Sequence, residues 1–144
     1  MPLDEYGARS GRPRELGALD LVMLRKAVEL NGATGIMLNM VDVLPIYSQA
    51  TLQGIPYVDS YKIHGEETSD YPNTTWTLEE AHPVFKYFDH IEGEISKIRT
   101  YPDLPNRIKR IIEAIEDNTH TKIIAIGMGR GREDVIITPK KTSA

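Results

Sequence analysis

The spacing of apolar residues along the chain predicts helices that alternate with short buried strands. Apolar residues recur at helical intervals from Leu21 to Leu30, Asp20 stands before them as an acidic N-cap, and Asn31-Gly32 supplies a stop. The clearest helix is predicted over Leu104 to Asn118, with isoleucines on one face and charged residues on the other, and with Pro105 in its first turn.

Two short apolar runs are typical of buried parallel strands. The run 35–43 (GIMLNMVDV) is free of charge until Asp42, which we place at the C-terminal end of the strand. The run 122–126 (KIIAI) ends in a glycine-rich loop at 127–131, and 135–138 is a candidate for one last strand.

The middle of the chain predicts a strand and turn over residues 53–67, with Pro56 favouring an edge position. A capping-box start at Thr77 opens a short helix that Pro83 ends, and a short strand follows at 84–88. Together these elements predict an α/β fold with mixed and parallel strands, a hairpin and flanking helices. Ligands of such sheets gather at the carboxyl ends of the strands.

Size and charge narrow the class of protein. With 144 residues, 40% of them hydrophobic and 26% charged, the chain is expected to form a single domain over 1–144, made of a loop segment 1–19 and an α/β body 20–144. A net charge of -4 argues against nucleic-acid and anionic-membrane partners. The absence of cysteine excludes disulfides and thiolate zinc sites, and no apolar run is long enough to span a membrane. We therefore expect a soluble cytoplasmic protein.

Two features carry candidate chemistry. The segment Ser10-Gly11-Arg12-Pro13-Arg14 holds two guanidiniums on a flexible loop that contains glycine. This arrangement is suited to binding a carboxylate or a phosphate. A solvated basic tail is the alternative. Asp42, a carboxylate at a strand end, is the second candidate, because ligands of such sheets gather there. The alternative is that Asp42 caps a turn.

Six segments in order resemble the adenylosuccinate synthetase family. They are the loop EYG…SGRPR with its following helix, the strand ending MLNMVD, GIPYVDSYKIHG at 54–65, LEEAHPV at 78–84, YPDLPNRIKRIIEAIE at 101–116 and IAIGMGR at 124–130. The resemblance covers nearly the whole chain and implies a three-layer, P-loop-hydrolase-like sheet of which this chain is the C-terminal part.

The resemblance also implies an activity and a set of site residues. Family members use GTP and Mg²⁺ to join IMP and L-aspartate into adenylosuccinate, in purine biosynthesis. By this resemblance the aspartate and IMP site would include Ser10, Gly11 and Arg12, and the GTP site would include Arg14, Asn39, Asp42 and Gly127.

The phosphate loop, the catalytic aspartate and the catalytic histidine of the family belong to its N-terminal half, so we assign no catalytic or metal-binding residue here. The loop 127–131 lacks the lysine followed by serine or threonine that ends a P-loop, and the four histidines show no metal spacing. The chain also departs from the family pattern at Glu15, Ala18, Met40 and Met128.

Two functions remain open at this point. The chain can be part of an active synthetase, joined by an N-terminal partner half or assembled as a homodimer. Alternatively, it can be a non-catalytic module that binds purine nucleotides or another protein.

Overall fold

The computed structural model describes residues 6, 7, 9–13 and 16–139 of the chain. In this part the strands are β1 (Leu19–Asp20), β2 (Ile36–Leu38), β3 (Ile55–Ile63), β4 (Glu66–Thr68), β5 (His82–Phe88), β6 (Ile123–Gly127) and β7 (Val135–Ile137). The helices are α1 (Leu21–Asn31), α2 (Leu44–Gln49), α3 (Thr75–Glu79) and α4 (Asn106–Thr119). The predicted α/β class, with parallel and antiparallel pairs, is confirmed.

Helix α1 begins and ends as the sequence predicts. The Asp20 carboxylate accepts a hydrogen bond from the Met23 amide at 2.8 Å, which satisfies one of the free donors of the first turn. Gly32 adopts a left-handed conformation, with φ of 58°, and its amide closes the last turn on the carbonyl of Glu29. The helix contacts both β3 and α4.

A three-stranded sheet has the order β2-β6-β7. β2 and β6 pair in parallel, with Leu38 opposite Ile126, and β7 returns antiparallel to β6. The predicted strand at 35–43 is correct in place but too long, because the pairing stops at Leu38. Its residues are also only partly buried, and Met37 is exposed.

The second sheet is built around β3. β5 lies antiparallel along one edge of β3, and the other edge pairs with β1 in parallel and with β4 through the His64-Gly65 turn. The predicted hairpin is confirmed, but the edge position predicted for Pro56 is wrong: Pro56 lies in a central strand opposite Tyr87. A proline is tolerated there where its missing donor is not needed by the neighbouring strand.

Helix α4 joins the two sheets through one core. Its isoleucines at 108, 111, 112 and 115 are buried, as predicted, and they pack with residues of both sheets. The core cluster comprises Leu21, Val41, Ile55, Ile91, Ile95, Leu104, Ile108, Ile111, Ile112, Ile115, Ile123, Ile126, Met128 and Ile136. A smaller cluster of Val22, Val58 and Tyr61 lies between α1 and β3. Burial of this apolar surface is the main force that fixes the loops described below.

Three local predictions need correction. The capping box of α3 starts at Thr74 and is closed by Thr77, so the helix begins earlier than the predicted start at Thr77. Pro83 does not end a helix but lies within β5. Helix α2 was not predicted, because its sequence LPIYSQ has no helical apolar period; a proline in its first turn initiates it.

Candidate functional site

Two parallel strands end side by side and form the base of the candidate site. Because Leu38 pairs with Ile126, the next residues, Asn39 and Gly127, are neighbours. A Cβ built on Gly127 would lie 2.8 Å from Asn39 Oδ1 and 3.4 Å from Asn39 Cα. A side chain at position 127 would therefore have to displace that of Asn39. The amide of Asn39 and the backbone after Gly127 therefore face the same region at the carboxyl edge of the sheet.

Asp42 lies one turn beyond the strand, not at its end. After β2 the chain turns at Met40, which has a left-handed backbone with φ of 61°, and Val41–Val43 form a short 3₁₀ helix. Val41 is buried in the core, whereas Asp42 is half-buried. The predicted position is corrected, since a turn and a 3₁₀ helix separate Asp42 from Leu38. The 3₁₀ helix contacts β6, so Asp42 stays near the β6 side of the sheet.

The loop 128–134 connects β6 to β7 and begins with a buried methionine. Met128, the residue that replaces a proline of the family pattern, is 1% exposed and belongs to the core. Its amide donates to the Asp134 carbonyl at 2.7 Å, and the Asp134 amide donates to the Gly131 carbonyl at 3.1 Å. The loop therefore closes on itself, and its start is held by packing.

The arginine loop, of which residues 6, 7 and 9–13 are described, is held mainly by its own backbone. Tyr6 and Pro13 form an antiparallel bridge, the Gly7 amide donates to the Arg12 carbonyl at 2.9 Å, and the Gly11 amide donates to the Gly7 carbonyl at 2.9 Å. The side chains of Ser10 and Arg12 are exposed. The Ser10 hydroxyl accepts from the Arg12 amide at 3.3 Å. Arg14, predicted to face GTP, lies outside the described residues.

The residues that follow the arginine loop contact helix α2 and strand β3. The Tyr47 hydroxyl on α2 donates to the Gly17 carbonyl at 3.3 Å, and Leu19 pairs with Tyr57 of β3. The Tyr61 hydroxyl donates to the second carboxylate oxygen of Asp20. Burial, together with this bond to Asp20, raises the pKa of Tyr61 well above its ordinary value of 10.0.

The structure brings together some of the predicted site residues. Asn39 and Gly127 are in contact, and Asp42 follows them by a short turn. α2, which begins two residues after Asp42, contacts Gly17 through Tyr47. Between Arg12 and Asn39, Asp42 or Gly127, the described residues include no hydrogen bond or ion pair. Whether Arg12 shares a cleft with these residues therefore stays a prediction.

The described residues form neither a cluster of metal ligands nor a helix that could span a membrane. Across residues 6–7, 9–13 and 16–139, no three histidine, aspartate or glutamate side chains come close enough to hold a metal ion. These residues do not fit a Mg²⁺ site of their own. Nor does any helix in the described part of the chain have the length and apolar character needed to cross a bilayer.

The comparisons with known proteins decide the family. The family model described as adenylosuccinate synthetase matches residues 3–136. The chain belongs to the adenylosuccinate synthetase family. The synthetase of Acetivibrio thermocellus is 37% identical over 133 residues, and that of Caldicellulosiruptor bescii is 39% identical over 137 residues. Each alignment covers 92% of this chain and 30% of the relative.

A solved adenylosuccinate synthetase shares the fold. The fully ligated enzyme from Plasmodium falciparum superposes with a TM-score of 0.78 and 32% identity, covering 94% of this chain and 32% of that one. The chain thus spans about 30% of the length of the curated relatives it matches. It is a synthetase fragment, and nothing in the comparisons favours the alternative of a non-catalytic module.

Sequence reasoning missed three residues that shape these loops. Asp134 bonds to the loop after Gly127, Arg99 bonds to Asp134, and Tyr47 contacts the segment after the arginine loop. Arg99 and Asp134 are 35 residues apart, and Tyr47 and Gly17 are 30 apart, separations that periodicity does not report. The glycines of 127–131 were the available signal, because such a loop needs a partner to fix its shape.

Proposed function

We propose that this chain supplies the guanine-binding and aspartate-binding elements of an adenylosuccinate synthetase, which uses GTP to join IMP and L-aspartate. The observation that carries the proposal is the contact of Gly127 with Asn39 at the carboxyl ends of two parallel strands. Ligands of open α/β sheets bind at such ends. Mg²⁺ would be held with the nucleotide phosphates by the remainder of the enzyme.

The guanine side would use Asn39, Asp42 and the backbone after Gly127. A half-buried carboxylate can accept from N1–H and the 2-amino group of guanine together, and adenine presents no such pair of donors. Leaving a carboxylate of this kind unpaired costs about 1–3 kcal/mol or more, which is the physical basis of the selectivity. The close approach at Gly127 lets the backbone reach the base.

The aspartate side would use the arginine loop. Ser10 and Gly11 form its turn, Arg12 would bind the aspartate carboxylate and the IMP ribose, and Arg14 would face GTP. An exposed guanidinium donates two parallel hydrogen bonds to a carboxylate, which orients the ligand as well as holding it.

A second polypeptide segment would complete the enzyme. An open groove of about 720 Å³ lies between α4 and the β2-β6-β7 sheet, and Ile124 and Ile137 along it are 53% and 73% exposed. Apolar surface of this kind is normally covered. We propose that residues 1–144 form one domain of a cytoplasmic enzyme, and that an N-terminal part like that of the relatives covers the groove. A homodimer is the competing arrangement.

Nucleotide titration tests the guanine site. The full chain should bind GTP more tightly than ATP, and Asp42→Ala should weaken GTP binding by about tenfold to a hundredfold, the cost of losing a charge-assisted pair. Asp103→Ala is the matched control, since Asp103 is an exposed carboxylate bonded to Thr100 at 2.7 Å. Equal affinity for GTP and ATP, or an unchanged GTP affinity in Asp42→Ala, would reject the guanine site.

A reconstitution assay tests the division of labour. Adenylosuccinate should form from GTP, IMP and L-aspartate only when the chain is mixed with a polypeptide that carries the N-terminal two thirds of a relative. Size-exclusion chromatography of the mixture reports the complex. Product formed by this chain alone would contradict the proposal, and a stable homodimer that excludes the second polypeptide would favour the competing arrangement.

A further inference from the structure

The loop 128–134 is held by hydrogen bonds to one of its own residues, Asp134. Asp134 Oδ2 accepts from the Gly131 amide at 2.8 Å, while the Asp134 backbone carbonyl accepts from the Met128 amide at 2.7 Å. The Asp134 amide donates back to the Gly131 carbonyl at 3.1 Å. One residue therefore bonds to the loop at its beginning and at its middle.

The side chains of Glu133 and Asp134 occupy the space beside two glycines of this loop. A Cβ on Gly129 would collide with Asp134 Oδ2, and a Cβ on Gly131 would lie 3.0 Å from the same oxygen and 2.5 Å from Glu133 Oε1. The loop has no room for side chains that point inward. The backbone conformation of the loop therefore depends on the position of the Asp134 side chain.

The same carboxylate is anchored from outside the loop. Asp134 Oδ1 accepts from Arg99 at 2.6 Å, and the Asp134 side chain is only 19% exposed. Arg99 in turn donates to the carbonyls of Ser96 at 2.5 Å and Ile98 at 3.0 Å. This segment is fixed by the buried side chain of Ile95. A charge-assisted bond to a partly buried carboxylate is stronger than a neutral one, so the anchor is firm.

We propose that Asp134, held by Arg99, is a positioning residue that fixes the loop 128–134, called the glycine loop below, beside Asn39. In this way it sets guanine affinity without touching the nucleotide. The inference rests on the proposed function, because it assigns the loop to the guanine base.

Amide hydrogen exchange, followed by NMR on the full chain, tests the positioning without any nucleotide. Asp134→Ala should raise the exchange rate of the Gly131 amide by about tenfold or more, as expected for loss of a charge-assisted bond. Asp134→Asn keeps an acceptor and should give a smaller increase. Glu94→Gln is the matched control, because its exposed pair with Lys97 lies in the same segment as Arg99. An unchanged Gly131 exchange rate in Asp134→Ala would overturn the proposal.

Titration with GTP and ATP then tests the link to affinity. Asp134→Ala and Arg99→Met should each weaken GTP binding by about fivefold to tenfold and leave ATP binding unchanged. The double variant should bind no worse than Asp134→Ala, since both changes remove one interaction. Arg99→Lys should restore part of the loss.

The outcomes separate the two proposals. If wild type prefers GTP, but Asp134→Ala binds GTP as wild type does, the positioning role is wrong and the guanine site stands. If wild type does not distinguish GTP from ATP, the guanine site is wrong, and the affinity role of Asp134 falls with it. Thermal unfolding of each variant identifies a general loss of folding, and in that case Asp134→Asn and Arg99→Lys carry the test.

Discussion

The glycine loop and the arginine loop differ in how they are held. The glycine loop begins at a buried methionine and is bonded to the carboxylate of Asp134, which Arg99 anchors. The arginine loop keeps its shape through backbone bonds, and its Ser10 and Arg12 side chains are exposed. If the proposed sites are correct, the guanine side is shaped before any ligand arrives, whereas the aspartate side acquires its final shape from a ligand or a partner.

The largest loss of stability is expected from a change at Asp20, which lies between the arginine loop and helix α1. Asp20→Ala removes the N-cap of α1, worth about 1 kcal/mol, and leaves the buried Tyr61 hydroxyl without its acceptor, worth about 1–3 kcal/mol. The free energy of unfolding, from urea denaturation followed by circular dichroism, should fall by about 3 kcal/mol. Asp20→Asn keeps a capping oxygen and should lose about half as much. Equal losses in the two variants would mean that the capping bond contributes nothing, because Asp20→Asn keeps that bond and Asp20→Ala removes it.

A paired glycine test compares the loops directly. Gly127→Ala forces a methyl group against Asn39 Oδ1 and should cost about 2 kcal/mol of stability. Gly11→Ala meets no atom within 4 Å and should cost only about 1 kcal/mol, from its left-handed backbone at φ of 60°. Adding Asn39→Ala should recover much of the loss in Gly127→Ala and none of that in Gly11→Ala. Urea denaturation of the four variants measures these losses in the free energy of unfolding. A loss in Gly11→Ala as large as that in Gly127→Ala would contradict the comparison.

Tyr61 makes the anchor of the arginine-loop segment sensitive to alkaline pH. Its pKa is raised by burial and by Asp20, so the contribution of its neutral form is fully present below pH 10. As pH rises further, the unfolded chain loses the tyrosine proton while the folded chain keeps it. Stability should then fall with a slope of up to about 1.4 kcal/mol per pH unit from this group. Tyr61→Phe should be less stable at pH 7 and lack this part of the slope, so the two stability curves should converge above pH 10. Parallel curves would show that Tyr61 is not shielded in the folded chain.

The smallest change is expected at Arg12. Because its side chain is exposed, Arg12→Ala should alter the free energy of unfolding by less than about 0.5 kcal/mol. Any role of Arg12 in binding aspartate would then be a direct one. A loss above about 1 kcal/mol would mean that the arginine loop is packed on the body after all.

Most of the fold followed from local signals in the sequence. The caps at Asp20 and Gly32 and the isoleucine stripe of α4 predicted their helices to within about two residues of each end. The hairpin followed from the His64-Gly65 turn. The two missed features have physical causes. The turn at Met40 depends on a left-handed backbone, which methionine rarely adopts and therefore does not predict. Helix α2 depends on tertiary contacts of the buried Ser48.

The candidate site was less predictable than the fold. The sequence predicted that the two apolar strands end at one edge of the sheet, with Asp42 and Gly127 at their ends. In the structure the residue that lies beside Gly127 is Asn39. Asp42 was misplaced because the end of β2 is set by pairing with β6, which a single run of residues does not encode. Asp134 and Arg99 were missed because their bond joins positions 35 residues apart in sequence.

The burial of Met128 makes the glycine loop measurable by chemical oxidation. Peroxide reacts with accessible thioethers, and Met23, Met37 and Met40 are all more than 40% exposed, so their sulfoxides would form first. Met128 can react only during moments when the loop leaves the core. The delay of its oxidation behind Met23, Met37 and Met40 would therefore report how often the loop opens. Under the proposed function, a bound guanine nucleotide would lengthen that delay.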